Sequence, residues 1–322
     1  MEEVKVSVIV PNYNYAQYLP VRLESILNQT FQDFEVILLD DASTDNSVEI
    51  LEGYRDNPHV SQIIVNEKNT GSPFVQWMKG ILLARGKYIW IAEADDVADR
   101  RFLETCVELA ETKERTAICY VGSLLIDENG EIEKRDINHW GKRGKREYHC
   151  FDGKLFAEHN LYWKNYIINA SGVLFRREYA IRLVDSDFLK MRYCGDWLFW
   201  FQMALQGEVL EVYKNLNYFR QHSKKVTVNS HQSGKGIAED IHVVGYMENH
   251  LPFISLYKKR LRHGLLHRKV RRLVHDAESK KILYDLLLKI LHSYPSDYYL
   301  ERRNQVFRLF CPFLLTWRRD RL

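Results

Sequence analysis

Three stretches of the sequence determine its fold: VSVIVPNYNYAQYL at residues 6–19, FEVILLDDASTD at residues 34–45 and YIWIAEADD at residues 88–96. Each contains a run of consecutive apolar residues, at 8–10, 36–39 and 88–91, and continues into polar ones. Uninterrupted apolar positions are typical of strands that are covered by helices on both faces. We therefore expect these strands at the centre of one sheet.

Helical patterns alternate with these strands. Residues 19–27 are amphipathic, helical residues follow Asp45, and a further helix through residues 77–83 follows a strand at residues 61–65. This βαβαβαβ order predicts an α/β fold with a Rossmann-like, mostly parallel central sheet and helices on both faces. The 322 residues, 46% of them hydrophobic, exclude a disordered or fibrous chain.

Polar residues follow three of the predicted strands. In open α/β sheets, ligands bind beyond the carboxyl ends of the strands, so these residues should converge on one edge. They are Asn12, Tyr13 and Asn14 after the first strand, Asp40 and Asp41 after the second, and Glu93, Asp95 and Asp96 after the last.

Asp95 and Asp96 are candidates for binding Mg²⁺ or Mn²⁺, because adjacent carboxylates at a rigid strand end suit a hard cation and a diphosphate. The alternative is that they only cap a helix that begins near Asp99. Asp41 is placed to accept hydrogen bonds from a nucleobase imide, while Ser43 and Asp45 turn the chain into a helix.

Asp196 lies in the segment CGDWLFW, directly before a run of aromatic residues. Partial burial there would raise the pKa of its carboxyl group, which makes it a candidate general base. The alternative is an ordinary helix N-cap. Further along, Arg220, His222 and Thr227 offer a cation, a metal ligand and a hydroxyl on one loop that suits a diphosphate.

Other nucleotide-binding signatures are missing. The first strand is not followed by GxGxxG, and the chain contains no GxxxxGK[ST], so dinucleotide and P-loop binding lose their main support. A nucleotidyltransferase would need a glycine-rich, basic loop where this chain has PNYNYAQYL. A non-catalytic nucleotide- or glycan-binding module of the same fold stays open as an alternative.

Taken together, the stretches at residues 6–19, 25–47, 69–96 and 194–200 resemble the family 2 glycosyltransferases, which have the GT-A fold. The resemblance covers roughly residues 4–225. It implies an inverting transfer of a sugar from a nucleoside-diphosphate sugar, with UDP-sugars favoured and Mn²⁺ or Mg²⁺ as cofactor. The acceptor would be a hydroxyl of a glycan or of a lipid-linked glycan in surface polysaccharide or glycolipid biosynthesis.

The resemblance also implies roles for individual residues. Asp196 would be the catalytic base, Asp96 and His222 would bind the metal, and the nucleotide-sugar would be bound by Pro11, Tyr13, Asp41, Asp95 and Arg220. The chain departs from the family pattern at two positions. Glu93 stands where the family often has aspartate, and Gly195 stands where it often has glutamate.

The resemblance and the changes of sequence pattern along the chain together suggest a domain organisation. We expect a GT-A domain over residues 1–235, with a nucleotide-sugar-binding half at 1–111 and an acceptor half at 112–235, followed by a basic helical extension at 236–322. Residues 251–322 carry 17 lysines and arginines against 6 acids. Basic residues alternate with Leu and Val along residues 258–275, which an amphipathic helix explains as well as nucleic-acid binding does, and we expect no nucleic-acid partner.

The end of the extension combines apolar and basic residues. Residues 306–317, VFRLFCPFLLTW, are flanked by arginines and fall short of the ~20 residues of a membrane-spanning helix. They predict either an in-plane helix on the cytoplasmic face of a membrane or a helix packed on the protein itself. Five cysteines without close pairs and no secretory signal indicate a cytoplasmic protein.

Overall fold

The computed structural model describes residues 4–135, 146–221, 234–273 and 277–310. Within them, ten strands form one sheet in the order β3-β2-β1-β4-β9-β6-β10-β5, with β7 beside β6 and β8 beside β10. The strands are β1 (Val6–Asn12), β2 (Phe34–Asp40), β3 (Val60–Val65), β4 (Tyr88–Ile91), β5 (Val97–Ala98), β6 (Thr116–Ile126), β7 (Ile132–Arg135), β8 (Tyr148–Asp152), β9 (Val173–Arg176) and β10 (Glu208–Arg220).

The described residues also form eleven α-helices. They are α1 (Leu19–Leu27), α2 (Ser47–Glu52), α3 (Pro73–Leu83), α4 (Phe102–Glu111), α5 (Gly153–Phe156), α6 (Arg177–Ile181), α7 (Gly195–Ala204), α8 (Lys235–His250), α9 (Leu256–Arg272), α10 (Ala277–Leu291) and α11 (Pro295–Phe310). Prolines lie in the first turn of α1 and α3, where the missing N–H leaves no helical hydrogen bond unmade.

The first half of the sheet is parallel, as predicted. β1 pairs in parallel with β2 and β4, and β2 with β3. The second half is mixed, because β9 runs antiparallel between β4 and β6. All residues of β1, β2 and β4 are buried, which explains their uninterrupted apolar patterns.

No helix follows Asp95 and Asp96 directly. β5 comes next, and α4 begins only at Phe102 with Arg101 as its N-cap residue. The alternative that the two acids cap a helix near Asp99 is therefore wrong. Both acids instead lie in the short connection between β4 and β5.

Two hydrophobic clusters flank the sheet. One contains the buried faces of α1 and α4, and the other contains those of α3 and α7. Buried residues of the C-terminal helices, among them Ile241 of α8, Leu266 of α9 and Leu287 of α10, belong to the same cluster as α7. α8 packs directly on the helix that carries Asp196, and α9 and α10 pack on α8. In the described part of the chain, no helix combines the length and apolarity needed to cross a bilayer.

Candidate active site

The ends of β1 and β2 are joined by side-chain hydrogen bonds. Asn12 pairs with Asp40 in the strand register, and its amide nitrogen donates to the Asp40 carboxylate over 2.7 Å. The Ser43 hydroxyl donates to the same carboxylate over 2.6 Å. Ala42, between Asp41 and Ser43, has a φ of 61°, in the left-handed region that disfavours alanine. Asp40 therefore stabilises a strained turn.

Asp41 holds the loop between β3 and α3. Its buried carboxylate accepts hydrogen bonds from the Asn66 side chain over 2.7 Å, from the Thr70 hydroxyl over 2.9 Å and from the Gln76 side chain over 2.8 Å. On β1, Pro11 is buried, whereas Tyr13 just beyond the strand is 45% exposed. Binding of a nucleotide by Pro11, Tyr13 and Asp41 stays a prediction.

Asp96 is the more deeply buried of the two adjacent acids. It is 1% exposed and accepts hydrogen bonds from the Asn169 amide over 2.8 Å and the Ser171 hydroxyl over 2.6 Å. The backbone N–H of Arg220 donates to its other oxygen over 2.9 Å. Burial, with a contribution from the Asp95 charge, raises the pKa of Asp96 to about 6. Asp95 is partly exposed beside it.

Glu93 extends this acidic group toward α7. Its carboxylate accepts the indole N–H of Trp77 over 2.8 Å, and the Trp77 ring lies 6.0 Å from that of Trp200 in α7. Burial, followed by the Asp95 charge, raises the pKa of Glu93 to about 8. At neutral pH this carboxyl group is therefore largely protonated.

Arg22 of α1 provides a buried positive charge next to these acids. The side chain is fully buried, lies 4.9 Å from the Trp90 ring centre, and its guanidinium nitrogens have no hydrogen-bond partner among the described residues. Burial lowers its pKa to about 10, and the carboxylates at the end of β4, first Asp96 and then Asp95, oppose this shift. Arg22 thus offsets part of their negative charge.

Arg220, at the end of β10, connects three segments. Its Nε donates to the Asp95 carbonyl over 2.7 Å, and Nη1 donates to the carbonyls of Asp127 and Glu128. The guanidinium also lies 4.7 Å from the Tyr18 ring centre. The guanidinium of Arg220 therefore holds the chain around Asp95. His222 and Thr227 lie outside the described residues.

Asp196 lies in the first turn of α7, whose N-cap residue is Cys194, so the N-cap alternative is wrong by two positions. Its carboxylate accepts the backbone N–H of Trp197 over 2.7 Å and the Asn165 amide over 2.9 Å. Burial is the largest influence on the group and raises its pKa to about 6. Such a carboxylate is ionised at neutral pH and is still a usable proton acceptor.

Gly195 is required where α7 packs on α3. A Cβ atom at this position would lie 2.5 Å from two ring carbons of Phe74 and 2.8 Å from the Phe188 carbonyl oxygen. The glutamate that the family often carries here has no room in this chain.

One short segment connects the two acid sites. Asn165 donates to Asp196, while Asn169 and Ser171 donate to Asp96. Because Asn165 and Asn169 are four residues apart, their Cα atoms lie within about 14 Å of each other. The segment therefore keeps the candidate base close to the strand-end acids.

Comparison with known proteins identifies the family of this chain. The family model described as glycosyl transferase family 2 matches residues 7–184, more than half of the chain. The chain belongs to glycosyl transferase family 2. The predictions of the family, of a GT-A fold and of glycosyltransferase activity are thereby confirmed.

Two curated relatives and one solved structure are among the similar proteins. An uncharacterized glycosyltransferase of Nostoc sp. is 27% identical over 232 residues, which cover 71% of this chain and 67% of that protein. The Staphylococcus aureus poly(ribitol-phosphate) β-N-acetylglucosaminyltransferase TarP is 24% identical over 57% of this chain and 64% of its own length. The chain thus spans about two thirds of these relatives.

The solved structure is S. aureus TarS 1–349 in complex with UDP-GlcNAc. It aligns with a TM-score of 0.59 and 17% identity, covering 94% of this glycosyltransferase and 92% of that chain. Because the alignment covers 94% of this chain, the shared fold extends beyond the residues that the family model matches.

The residues of this glycosyltransferase fit a divalent cation in part. In the described ranges, no three His, Cys, Asp or Glu side chains are grouped as a complete metal site. Mg²⁺, however, usually binds through one or two carboxylates together with substrate phosphates. Asp95 and Asp96 supply hard oxygen ligands of that kind at the end of β4. Metal binding by Asp96 and His222 stays a prediction.

Sequence reasoning did not identify Arg22, Asn165, Asn169 or Ser171 as site residues. Arginine is seldom fully buried, so nothing in the pattern of α1 marks Arg22 as internal. Asn165 and Asn169 lie in a segment without strand or helix periodicity, and Ser171 begins the short strand-like run SGVLF at residues 171–175. The sequence marks these three residues only as polar, and polarity does not distinguish a site residue from an ordinary loop residue.

Proposed function

We propose that this glycosyltransferase transfers a sugar from a nucleoside-diphosphate sugar, with UDP-sugars favoured, to an acceptor hydroxyl in a single inverting displacement. The observation that carries the proposal is the environment of Asp196. Its carboxylate is partly buried, is fixed by the Asn165 amide and the Trp197 N–H, and has a pKa raised to about 6.

Asp196 would act as the general base. An ionised carboxylate with this pKa accepts the proton of the acceptor hydroxyl as the hydroxyl oxygen attacks the anomeric carbon. The bond to the diphosphate breaks as the new glycosidic bond forms, so the anomeric configuration inverts. Asn165 and Trp197 keep the base oriented, because each donates a hydrogen bond to its carboxylate.

The nucleotide would bind at the ends of β1, β2 and β4. Tyr13 offers an exposed aromatic ring, Asp41 lies at the base of the β3–α3 loop, and Asp95 is the accessible acid at the end of β4. A Mn²⁺ or Mg²⁺ ion held by Asp95 and Asp96 would neutralise the charge of the departing diphosphate. Arg220 would keep Asp95 in place through its hydrogen bond to the Asp95 carbonyl.

Names of similar proteins support the choice of donor and setting. TarP is named as an N-acetylglucosaminyltransferase that acts on poly(ribitol-phosphate), and TarS was solved with UDP-GlcNAc. These names favour a UDP-sugar donor and an acceptor in a cell-surface polymer, either a glycan or a lipid-linked precursor.

Calorimetric titration tests the donor site. We would titrate UDP, GDP, CDP and dTDP with and without Mn²⁺ into the wild type, Asp95→Ala and Asp56→Ala. Asp56 is an exposed acid that precedes the amino end of β3, at the opposite end of that strand from the candidate site. We expect UDP to bind most tightly of the four nucleotides, and to bind only when Mn²⁺ is present. Its affinity should fall in Asp95→Ala and stay at the wild-type value in Asp56→Ala. Absence of binding by any nucleotide would favour a module without transferase activity.

Peripheral attachment to the cytoplasmic face of a membrane is the second part of the proposal. Val306, Phe307, Leu309 and Phe310 are exposed at the end of α11, close to the exposed Arg302 and Arg303. Apolar side chains beside basic ones suit an anionic lipid surface. Leu309→Glu/Phe310→Glu should abolish co-sedimentation with phosphatidylglycerol vesicles. Equal co-sedimentation of wild type and variant would show that this surface does not bind lipid.

A further inference from the structure

The start of α7 is held by a residue from the C-terminal helices. Glu239 of α8 accepts three consecutive backbone N–H groups, those of Arg192 over 2.8 Å, Tyr193 over 2.7 Å and Cys194 over 2.8 Å. Hydrogen bonds to an ionised acceptor are about twice as strong as neutral ones. A single carboxylate therefore fixes the backbone immediately before the helix that carries Asp196.

No side chain at the first position of α7 can do the same. A Cβ atom at Gly195 would collide with Phe74, so this position cannot carry an acid. Cys194, the N-cap residue, makes no side-chain capping bond. Among the described residues, Glu239 is the acidic side chain that accepts hydrogen bonds from the backbone N–H groups of residues 192–194.

α8 makes two further contacts with α7, one at its N-cap residue and one near its end. The Cys194 thiol lies 3.6 Å from the Gly236 carbonyl oxygen near the start of α8, and the Gln202 amide donates to the Tyr246 hydroxyl over 2.8 Å. In α9, the Arg262 guanidinium lies 5.3 Å from the ring centre of Trp197, the neighbour of Asp196. The C-terminal helices thus contact α7 at its start and near its end.

We propose that Glu239 is a positioning residue for Asp196: from the C-terminal helices, it fixes the start of α7 and adds a negative charge near the base. The proposal rests on the proposed function of Asp196 as the general base. Glu239 lies beyond residues 7–184, which the family model matches, and takes a direct part in organising the helix that carries Asp196.

The ionisable groups around Asp196 define the expected effect of pH. Glu239 faces it from α8 and Cys194 from its own loop, the Arg262 guanidinium of α9 lies over the ring of the neighbouring Trp197, and Asn165 is neutral. Burial is the main cause of the raised pKa of Asp196, and the negative charge of Glu239 raises it further. Removing that charge should lower the pKa, so the carboxylate would stay ionised at lower pH.

The test compares Glu239→Gln and Glu239→Ala with Glu278→Gln, which alters an exposed acid of α10. The readouts are kcat and KM for UDP-sugar cleavage, UDP affinity, and the acidic limb of the pH profile. We expect both Glu239 variants to lower kcat by about 10- to 100-fold, the loss typical of a misplaced catalytic group. UDP affinity should stay at the wild-type value, and the acidic limb of Glu239→Gln should move to lower pH.

Two results would overturn the proposal. One is a kcat and an acidic limb in Glu239→Gln equal to those of Glu278→Gln. The other is unchanged hydrogen exchange at the amides of residues 192–194 in Glu239→Ala, where we expect faster exchange. The exchange measurement needs no turnover, so it tests the contact even if the wild type cleaves no nucleotide-sugar, a result that would instead count against the proposed function.

Discussion

Asn169 donates its side-chain amide to the carboxylate of Asp96 over 2.8 Å, and Asn165, four residues earlier, does the same for Asp196 over 2.9 Å. One loop segment therefore orients both the strand-end acid and the candidate base. Displacing this segment would disturb both acids together, because each relies on it for a hydrogen bond.

The two adjacent acids should differ in their effect on folding. Asp96→Ala leaves the side chains of Asn169 and Ser171 and the Arg220 N–H without their buried acceptor. Unsatisfied buried groups cost about 1–3 kcal/mol each, so urea unfolding should show a marked loss of stability. Asp95→Ala should unfold near the wild-type midpoint, since Asp95 is partly exposed. Equal losses in the two variants would contradict this division of roles.

Glu93→Gln should change how stability depends on pH. The pKa of Glu93 is raised to about 8 in the folded protein, so folding favours its protonated form above the unfolded pKa of 4.5. The stabilising contribution of the group is fully present below pH 4.5 and is lost progressively as the pH rises from 4.5 through about 8. Glutamine mimics the protonated acid and can still accept the Trp77 N–H. The melting temperature of the variant relative to wild type should therefore rise between about pH 5 and pH 8 and level off above that, and a constant difference would argue against a raised pKa.

The Asn165 amide should set the pH dependence of catalysis. Wild-type kcat/KM should fall below about pH 6, where Asp196 becomes protonated. The hydrogen bond from Asn165 lowers the Asp196 pKa, opposing the effect of burial, so Asn165→Ala should move the acidic limb to higher pH. Lys164→Ala, a change at the exposed neighbouring residue, is the control and should leave the limb in place. A limb that Asn165→Ala does not move would mean that another group limits the reaction.

Gly195→Ala should destabilise the contact between α3 and α7. The new Cβ atom would lie 2.5 Å from the Phe74 ring, and overpacking of this kind costs about 1–3 kcal/mol. The double variant Gly195→Ala/Phe74→Leu should recover part of the loss in urea unfolding, because the nearest atoms belong to the Phe74 ring. If the stability losses of the two single variants simply add in the double variant, the strain does not arise from the contact with the Phe74 ring.

The strand-end part of the site follows from the sequence for a physical reason. β1, β2 and β4 are buried on both faces, which produces apolar runs that are easy to recognise. Parallel strands end at the same edge, so the residues after each run must come together. That is why Asp41, Asp95 and Asp96 were identified as site candidates from the sequence.

The remaining parts depend on tertiary contacts that leave no periodic signal. The Asn165 side chain reaches Asp196 from a loop, and Glu239 reaches the start of α7 from a helix 45 residues away in sequence. Nothing local distinguishes Glu239 from a solvated acid on an amphipathic helix. The burial of Arg22 likewise depends on how α1 packs over Trp90.

The most direct test of the central claim is sugar transfer by wild type and Asp196→Asn, measured with a panel of UDP-sugars, Mn²⁺ and a candidate glycan acceptor. The product anomer would be determined by NMR. We predict transfer with inversion by the wild type, a loss of at least about 100-fold in kcat for Asp196→Asn, and unchanged UDP affinity in that variant. Retention of configuration, or wild-type turnover by Asp196→Asn, would contradict the assignment of Asp196 as the base.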